Sequence, residues 1–230
     1  MNRGDAAARR ILDIILAATG LIALAPVSAV AAIAIRATSR GPVIYRATRV
    51  GRDGRTFTMH KFRTMRQVQA HGGARITPPN DERIFPVGKV LRRTKLDEVP
   101  QLWDVLRGDM SIVGPRPEDP DIVDRFYTPT MWQTLAVKPG ITSPGAIWGS
   151  FIGEQLLGDA DPEGDYAKRV LPMKLAVEQR YLDVRSLRSD IGLIGLTVKA
   201  VAMAATGRGD RIDWEKVVGE EISHVEDEPH

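Results

Sequence analysis

The chain has 230 residues, 43% of them apolar, which supplies a real core and excludes global disorder. Its 32 Lys and Arg against 29 Asp and Glu leave a net charge of only +3, so a dedicated nucleic-acid binder is excluded. With no cysteine and four scattered histidines (His60, His71, His224, His230), disulfides, thiolate zinc sites, cysteine nucleophiles and a histidine metal site are all excluded.

The average conceals a strong asymmetry. Ile11 to Ile35 carries one charge, Asp13. Arg36 to Arg66 carries nine basic residues and one acid, Asp53. From Asp210 onward there are eight acids and two basic residues, which reads as a solvated tail. The basic block should face something anionic, either lipid head groups or a phosphorylated substrate.

Three readings of the apolar stretch compete. As one helix, Ile11–Ile35 is about 37 Å long, enough to span a core of about 30 Å. As a signal peptide, it has Arg9-Arg10 ahead and a cleavage site at Ala29-Val30-Ala31; this is the weakest of the three. As a re-entrant hairpin, it would kink at Pro26, leaving arms of about 22 and 15 Å, each too short to cross. Positive flanks on both sides (Arg3, Arg9, Arg10; Arg36, Arg40, Arg46) favour the hairpin by the positive-inside tendency. Proline also occurs in spanning helices, and the residues alone leave the simple span slightly ahead.

Beyond the basic flank, Val43-Ile44-Tyr45 and Thr56-Phe57-Thr58-Met59 read as two strands around an Asp53-Gly54 turn. His60 to Gln69 is expected to start a helix, and Gly72-Gly73 with Pro78 to Asp81 marks a loop. Val87–Arg93 is a short helix or strand. Glu98–Leu106 has helical apolar spacing, closed by Gly108-Asp109. Ser111–Val113 is a short strand, Lys138–Ile141 a turn, and Tyr166–Leu182 a helix around Pro172. Ser189–Thr206 is a second greasy helix carrying Lys199, expected in the core or at an interface rather than across a bilayer. The fold class is therefore α+β: a helix-dominated small domain with few short strands, preceded by a membrane helix and using interfacial amphipathic helices. The expected organisation is a membrane segment over 1–40, a catalytic domain over 41–206 and an acidic tail over 207–230.

Three clusters can carry chemistry. In Arg92-Arg93-Thr94-Lys95-Leu96-Asp97-Glu98-Val99-Pro100, a helix with Pro100 in its first turn makes Asp97 its N-cap and Glu98 its first residue, setting two carboxylates at its positive end. Simple capping is the commoner use of such acids. In Gly114-Pro115-Arg116-Pro117-Glu118, two prolines pre-set a guanidinium suited to a phosphate, or Arg116 pairs with Glu118 or Asp119. In His60-Lys61-Phe62-Arg63, an extended backbone puts Lys61 and Arg63 on one face. No P-loop, dinucleotide fingerprint or serine-nucleophile motif is present.

Taken in order, these motifs resemble the bacterial sugar transferase family, the monotopic phosphoglycosyl transferases. The resemblance runs from about Arg9 to Thr206. It is carried by Arg10-x-x-Asp13, Pro26, Gly41-Pro42-Val43-Ile44-Tyr45, Lys61-Phe62-Arg63-Thr64-Met65, Leu96 to Trp103, Gly108 to Pro117 and Lys138 to Thr142. It implies a re-entrant helix broken at Pro26, in the bacterial inner membrane with the catalytic domain on the cytoplasmic face, which puts the hairpin ahead of the simple span. It implies transfer of a sugar-1-phosphate from a UDP-sugar to a polyprenol phosphate such as undecaprenyl phosphate, releasing UMP, as the first membrane step of polysaccharide or glycoconjugate synthesis. By the same resemblance Asp97 is the nucleophile, Glu98 serves Mg²⁺, and Lys61, Arg63, Arg92 and Arg116 hold phosphates. Two departures stand out. Ala25 precedes Pro26 where the family often has Ser. Ser143-Pro144-Gly145-Ala146-Ile147-Trp148 replaces a common Gly-Trp-Ala-Gln.

Overall fold

The structure is a computed structural model, and it describes residues 3–66, 81–151, 153–158 and 161–205. The expected acidic tail, the loop glycines at 72–73 and the end of the expected 60–69 helix lie outside the described residues.

Helix α1 (Arg3–Thr38) runs without interruption through Pro26. One face of it meets the rest of the protein at Asp13, Ala17, Gly20, Leu24, Ala31 and Ile35. Those positions are separated by three, four or seven residues, the spacing of one helical stripe. Ile11, Ile15, Ile22, Val30 and Ile33 point away and are exposed. Among the described residues α1 alone is long and apolar enough to cross a membrane. Polar anchors fasten its start. Arg9 Nε donates to Asp190 Oδ2 at 2.7 Å, and Asp13 accepts from Ser111 Oγ and from the Ile112 N–H at 2.8 Å. Ala31 and Ile35, near the other end, pack on Phe62, Phe85 and Leu91.

Strands β1 (Ile44–Val50) and β2 (Thr56–Phe62) form the expected antiparallel hairpin. The turn between them needs left-handed backbone, supplied by Asp53 at φ 56° and Gly54 at φ 75°. β2 continues through His60–Phe62, so the helix expected from His60 does not start there. Phe62 and Met59 face the core and hold the segment as a strand. Val87–Arg93 resolves as helix, α2 (Pro86–Arg93), with proline in its first turn.

A single 3-10 turn, Leu96–Glu98, leads into α3 (Gln101–Arg107). Gly108 closes α3 at φ 92°, and Arg10 donates to the terminal carbonyls of Val105 and Leu106. β3 (Ser111–Val113) then pairs in parallel with β4 (Gly140–Thr142), so the turn expected at Lys138–Ile141 is half strand. Gly114 and Gly140 cross so closely that a Cβ on Gly140 would lie 2.2 Å from the Gly114 nitrogen. Between these strands lie α4 (Pro120–Phe126) and α5 (Pro129–Trp132). After β4 come α6 (Pro144–Phe151), α7 (Pro162–Asp165), a π-helical turn at Tyr166–Val170, α8 (Leu171–Val184) and α9 (Leu187–Ala205). The domain is mostly helical with few short strands, as the sequence indicates. The parallel pair points its C-terminal ends the same way, delivering Arg116 and α6 to one side of the molecule.

Candidate active site

The acid pair sits on the 3-10 turn between α2 and α3. Lys95, just before it, adopts left-handed backbone at φ 55°, a conformation that costs a non-glycine residue about 1 kcal/mol. Such strain is found where the surroundings over-determine it, often beside functional groups. Asp97 is not the helix cap that the sequence suggests: Pro100 occupies that position, and no side chain caps α3. The proline moves the helix start three residues downstream, leaving the acids outside it. Asp97 is only 8% exposed, and its Oδ1 has no hydrogen-bond partner. A buried carboxylate oxygen without a partner is costly; Glu178 Oε2 is in the same condition, and Asp97 differs in having Glu98 and the cations Lys61, Lys95 and Arg92 around it.

Glu98 has the opposite surroundings. Arg116 grips it with both guanidinium nitrogens, Nη2 to Oε1 and Nη1 to Oε2 at 3.3 Å, and Lys61 Nζ reaches Oε1 at 3.3 Å. Arg116 therefore pairs with neither Glu118 nor Asp119. Glu118 instead accepts from Lys174 and the Tyr166 hydroxyl, and Asp119 accepts from Arg49 at 2.6 Å. The two prolines aim Arg116 back toward the dyad, while the chain beyond them turns Glu118 to α8.

These environments split the acids. Burial, then the neighbouring Glu98 charge, pushes the Asp97 carboxyl up, against the pull of Lys61, Lys95 and Arg92. Burial would raise Glu98 too, but Arg116, Lys61 and Lys95 outweigh it and hold Glu98 well below the usual carboxylate range. Burial lowers Lys61 to about 8, with Glu98 opposing and Arg116 reinforcing the drop.

Two cavities meet beside the dyad. One, of about 240 Å³, is polar and cationic, with Arg49, Lys61, Arg92, Arg116 and Lys174 in its wall. The other, of about 210 Å³, is apolar, running from Glu98 and Lys95 between α3, α6 and α9. Arg116, Ala146 and Ser150 belong to both walls. The segment that departs from the family pattern, Ser143–Trp148, thus begins the helix that divides the cavities. Ser143 is fully buried and caps α6: its Oγ accepts from the Ala146 N–H at 2.9 Å and donates to Glu178.

Of the residues singled out from sequence, Lys61, Arg92, Asp97, Glu98 and Arg116 converge. Arg63 does not. It is 2% exposed and donates to the carbonyls of Ser39 and Arg40, just beyond the end of α1. The strand ends at Phe62, so the shared face with Lys61 is lost, and Arg63 ties the α1 exit to β2. Pro26 lies within α1. Lys95, already read beside the acids, lies in the wall of the apolar cavity with its Nζ 3.3 Å from Ser150 Oγ. The sequence reading did not single out Arg49 or Lys174, and Lys174, near the start of α8, carried no local signal. It also missed Asp104, fully buried, which accepts from the His60 N–H at 2.9 Å and holds His60 Nδ1 at 2.6 Å. No cluster of three or more metal-ligating side chains exists among the described residues. The dyad offers two adjacent hard oxygen donors, one of them unsatisfied. That suits Mg²⁺ when substrate phosphates and water complete the shell.

The sequence pattern that defines the bacterial sugar transferase family matches residues 4–204. Among curated proteins, the chain is 37% identical over 192 residues to the UDP-glucose:undecaprenyl-phosphate glucose-1-phosphate transferase of Escherichia coli (strain K12), covering 83% of this chain and 39% of that one. It is 33% identical over 205 residues to the UDP-N-acetylgalactosamine-undecaprenyl-phosphate N-acetylgalactosaminephosphotransferase of Aeromonas hydrophila, covering 88% and 45%. It is 32% identical over 196 residues to the UDP-glucose:undecaprenyl-phosphate glucose-1-phosphate transferase of Caulobacter vibrioides, covering 84% and 69%. The chain thus spans less than half the length of the first two of these relatives.

Proposed function

The chain belongs to the bacterial sugar transferase family, and on that footing we propose that it is a phosphoglycosyl transferase moving a sugar-1-phosphate from a UDP-sugar to undecaprenyl phosphate. The observation that carries the reading is the contrast within the dyad: a buried Asp97 with an unsatisfied oxygen, beside a Glu98 neutralised by Arg116 and Lys61.

In the proposed first step an Asp97 oxygen attacks the sugar-bearing phosphorus of the donor. The acyl O–P bond forms, the bridging P–O bond breaks, and its electron pair leaves with UMP. An anion attacking a diphosphate needs nearby positive charge on the phosphoryl oxygens. Lys61, Arg92 and Arg116 line the polar cavity and supply it. Asp97 itself lies in neither cavity wall, while Glu98 lies in one. An arriving diphosphate competes with Glu98 for Arg116 and Lys61, and loosening that grip frees the turn to present Asp97. In the second step an oxygen of the acceptor phosphate attacks the same phosphorus, and the Asp97 carboxylate is released. Covalent catalysis lets one small site serve two dissimilar substrates in turn. Glu98 would hold Mg²⁺, which when bound supplies further neutralisation of the phosphates.

The same reading puts α1 in the cytoplasmic leaflet of the inner membrane with both ends on the cytoplasmic side. The polar anchors at Arg9, Arg10 and Asp13 and the apolar contact at Ile35 fasten both of its ends to one domain, which supports a monotopic arrangement. Mass spectrometry of donor-treated, quenched protein tests the chemistry. The expected result is a phosphosugar adduct on Asp97, absent in Asp97→Asn. Full turnover by that variant refutes the nucleophile.

A further inference from the structure

The apolar groove between α3, α6 and α9 is walled by Val99, Leu102, Ile147, Ala200, Val201 and Ala204. The hydroxyl protons of its two threonines are used within the protein, Thr197 Oγ1 donating to the Leu193 carbonyl at 2.7 Å and Thr142 Oγ1 lying 2.6 Å from Thr197 Oγ1, so its interior offers little to a hydroxylated sugar or a base. Moving such groups there would strip them of water without replacement hydrogen bonds. Charge is confined to Lys95, Glu98 and Arg116 in the wall. The groove therefore fits an amphiphile with an anionic head beside the dyad and hydrocarbon along α9. The outer face of α9 continues in the same chemistry, with Ile191 and Val198 exposed.

We propose that this groove receives the hydrocarbon segment nearest the phosphate of the polyprenol acceptor, with Ala200, Val201 and Ala204 of α9 as its outer wall. This rests on the phosphoglycosyl reading and adds where the acceptor sits. Arg116, shared by both cavities, then meets the donor diphosphate in the first half-reaction and the acceptor phosphate in the second. In that second half the new P–O bond forms from the acceptor oxygen. The acyl O–P electron pair returns to Asp97, and a dianionic acceptor requires no proton transfer.

The two half-reactions separate the test from the underlying reading. Ala204→Trp, with Ala204→Leu as a milder filling, is compared with the unmodified full chain in nanodiscs of anionic phospholipid. Adduct formation with UDP-sugar alone should stay within about twofold. The acceptor KM for undecaprenyl phosphate should rise at least tenfold for Trp and less for Leu. A wild-type acceptor KM in both variants overturns the proposal. So does an equal loss of adduct formation and transfer, which would make the groove part of the donor site or a packing element. Absence of adduct in the unmodified protein is a different result and removes the nucleophile instead.

Discussion

Replacing Arg116 with methionine keeps an unbranched side chain of similar length but leaves Glu98, 11% exposed at its side chain, with Lys61 as its remaining direct partner. Removing one member of a buried pair typically costs 3–5 kcal/mol. Here the protein has an escape, because Glu98 can take up a proton. Neutralising a carboxyl of ordinary pKa about 4.3 at pH 7 costs about 2.7 × 1.36, or roughly 3.7 kcal/mol. At pH 5 the same step costs only about 1 kcal/mol. The signs follow. In the wild type the depressed Glu98 contributes stability above its unfolded pKa, lost only as pH falls through its low folded value. In the variant the folded state binds the extra proton, so stability declines as pH rises above about 4.3. Thermal unfolding at both pH values reads this out. At roughly 2–4 °C per kcal/mol for a chain of this size, Tm should drop about 7–15 °C at pH 7 and about 2–4 °C at pH 5. A deficit that is the same at both pH values would show that Arg116 acts through packing and not through the Glu98 charge. Activity should fall about 10²–10³-fold, the scale of losing one preorganised charge at a developing anion.

The donor kcat/KM should decline above about pH 8, as Lys61 loses its proton; Lys61→Arg should abolish that limb, and an unchanged profile would remove Lys61 from phosphate binding. Asp104 bridges strand β2 to α3, one residue before Lys61 and six after Glu98. Asp104→Ala strands the partly buried His60 N–H and should cost about 1–3 kcal/mol in denaturant unfolding. Asp104→Asn can keep both contacts and should restore most of that stability, and equal losses in the two variants would count against the bridge. Asp13→Ala removes the acceptor for Ser111 Oγ and the Ile112 N–H. It should destabilise the domain by about 1.5–3 kcal/mol, and insensitivity would mean that apolar contacts alone seat α1.

Much of the site was legible in the chain order. Asp97, Glu98 and Arg116 sit in compact charged motifs that mark where to look, while the roles expected of them came from the family resemblance, and the apolar run announces by composition a helix able to enter a membrane. The hairpin was readable because its turn needs left-handed backbone that Asp53-Gly54 supplies. The partners were not readable. Whether Asp97 caps a helix or lies buried with one oxygen unpaired depends on where α3 begins, and Pro100 shifted that start. Arg116 and Glu98 are 18 residues apart, and only the parallel pairing of β3 with β4 sets the loop beyond β3 against the dyad. Arg63 matched Lys61 in pattern but not in place, because side-chain alternation predicts a shared face only while the strand lasts. Local backbone preference is encoded within a few residues and survives inspection of the sequence. Burial and ion pairing depend on which distant segments meet, and for this protein that was decided by the packing of α1, α6 and α9 around two short parallel strands.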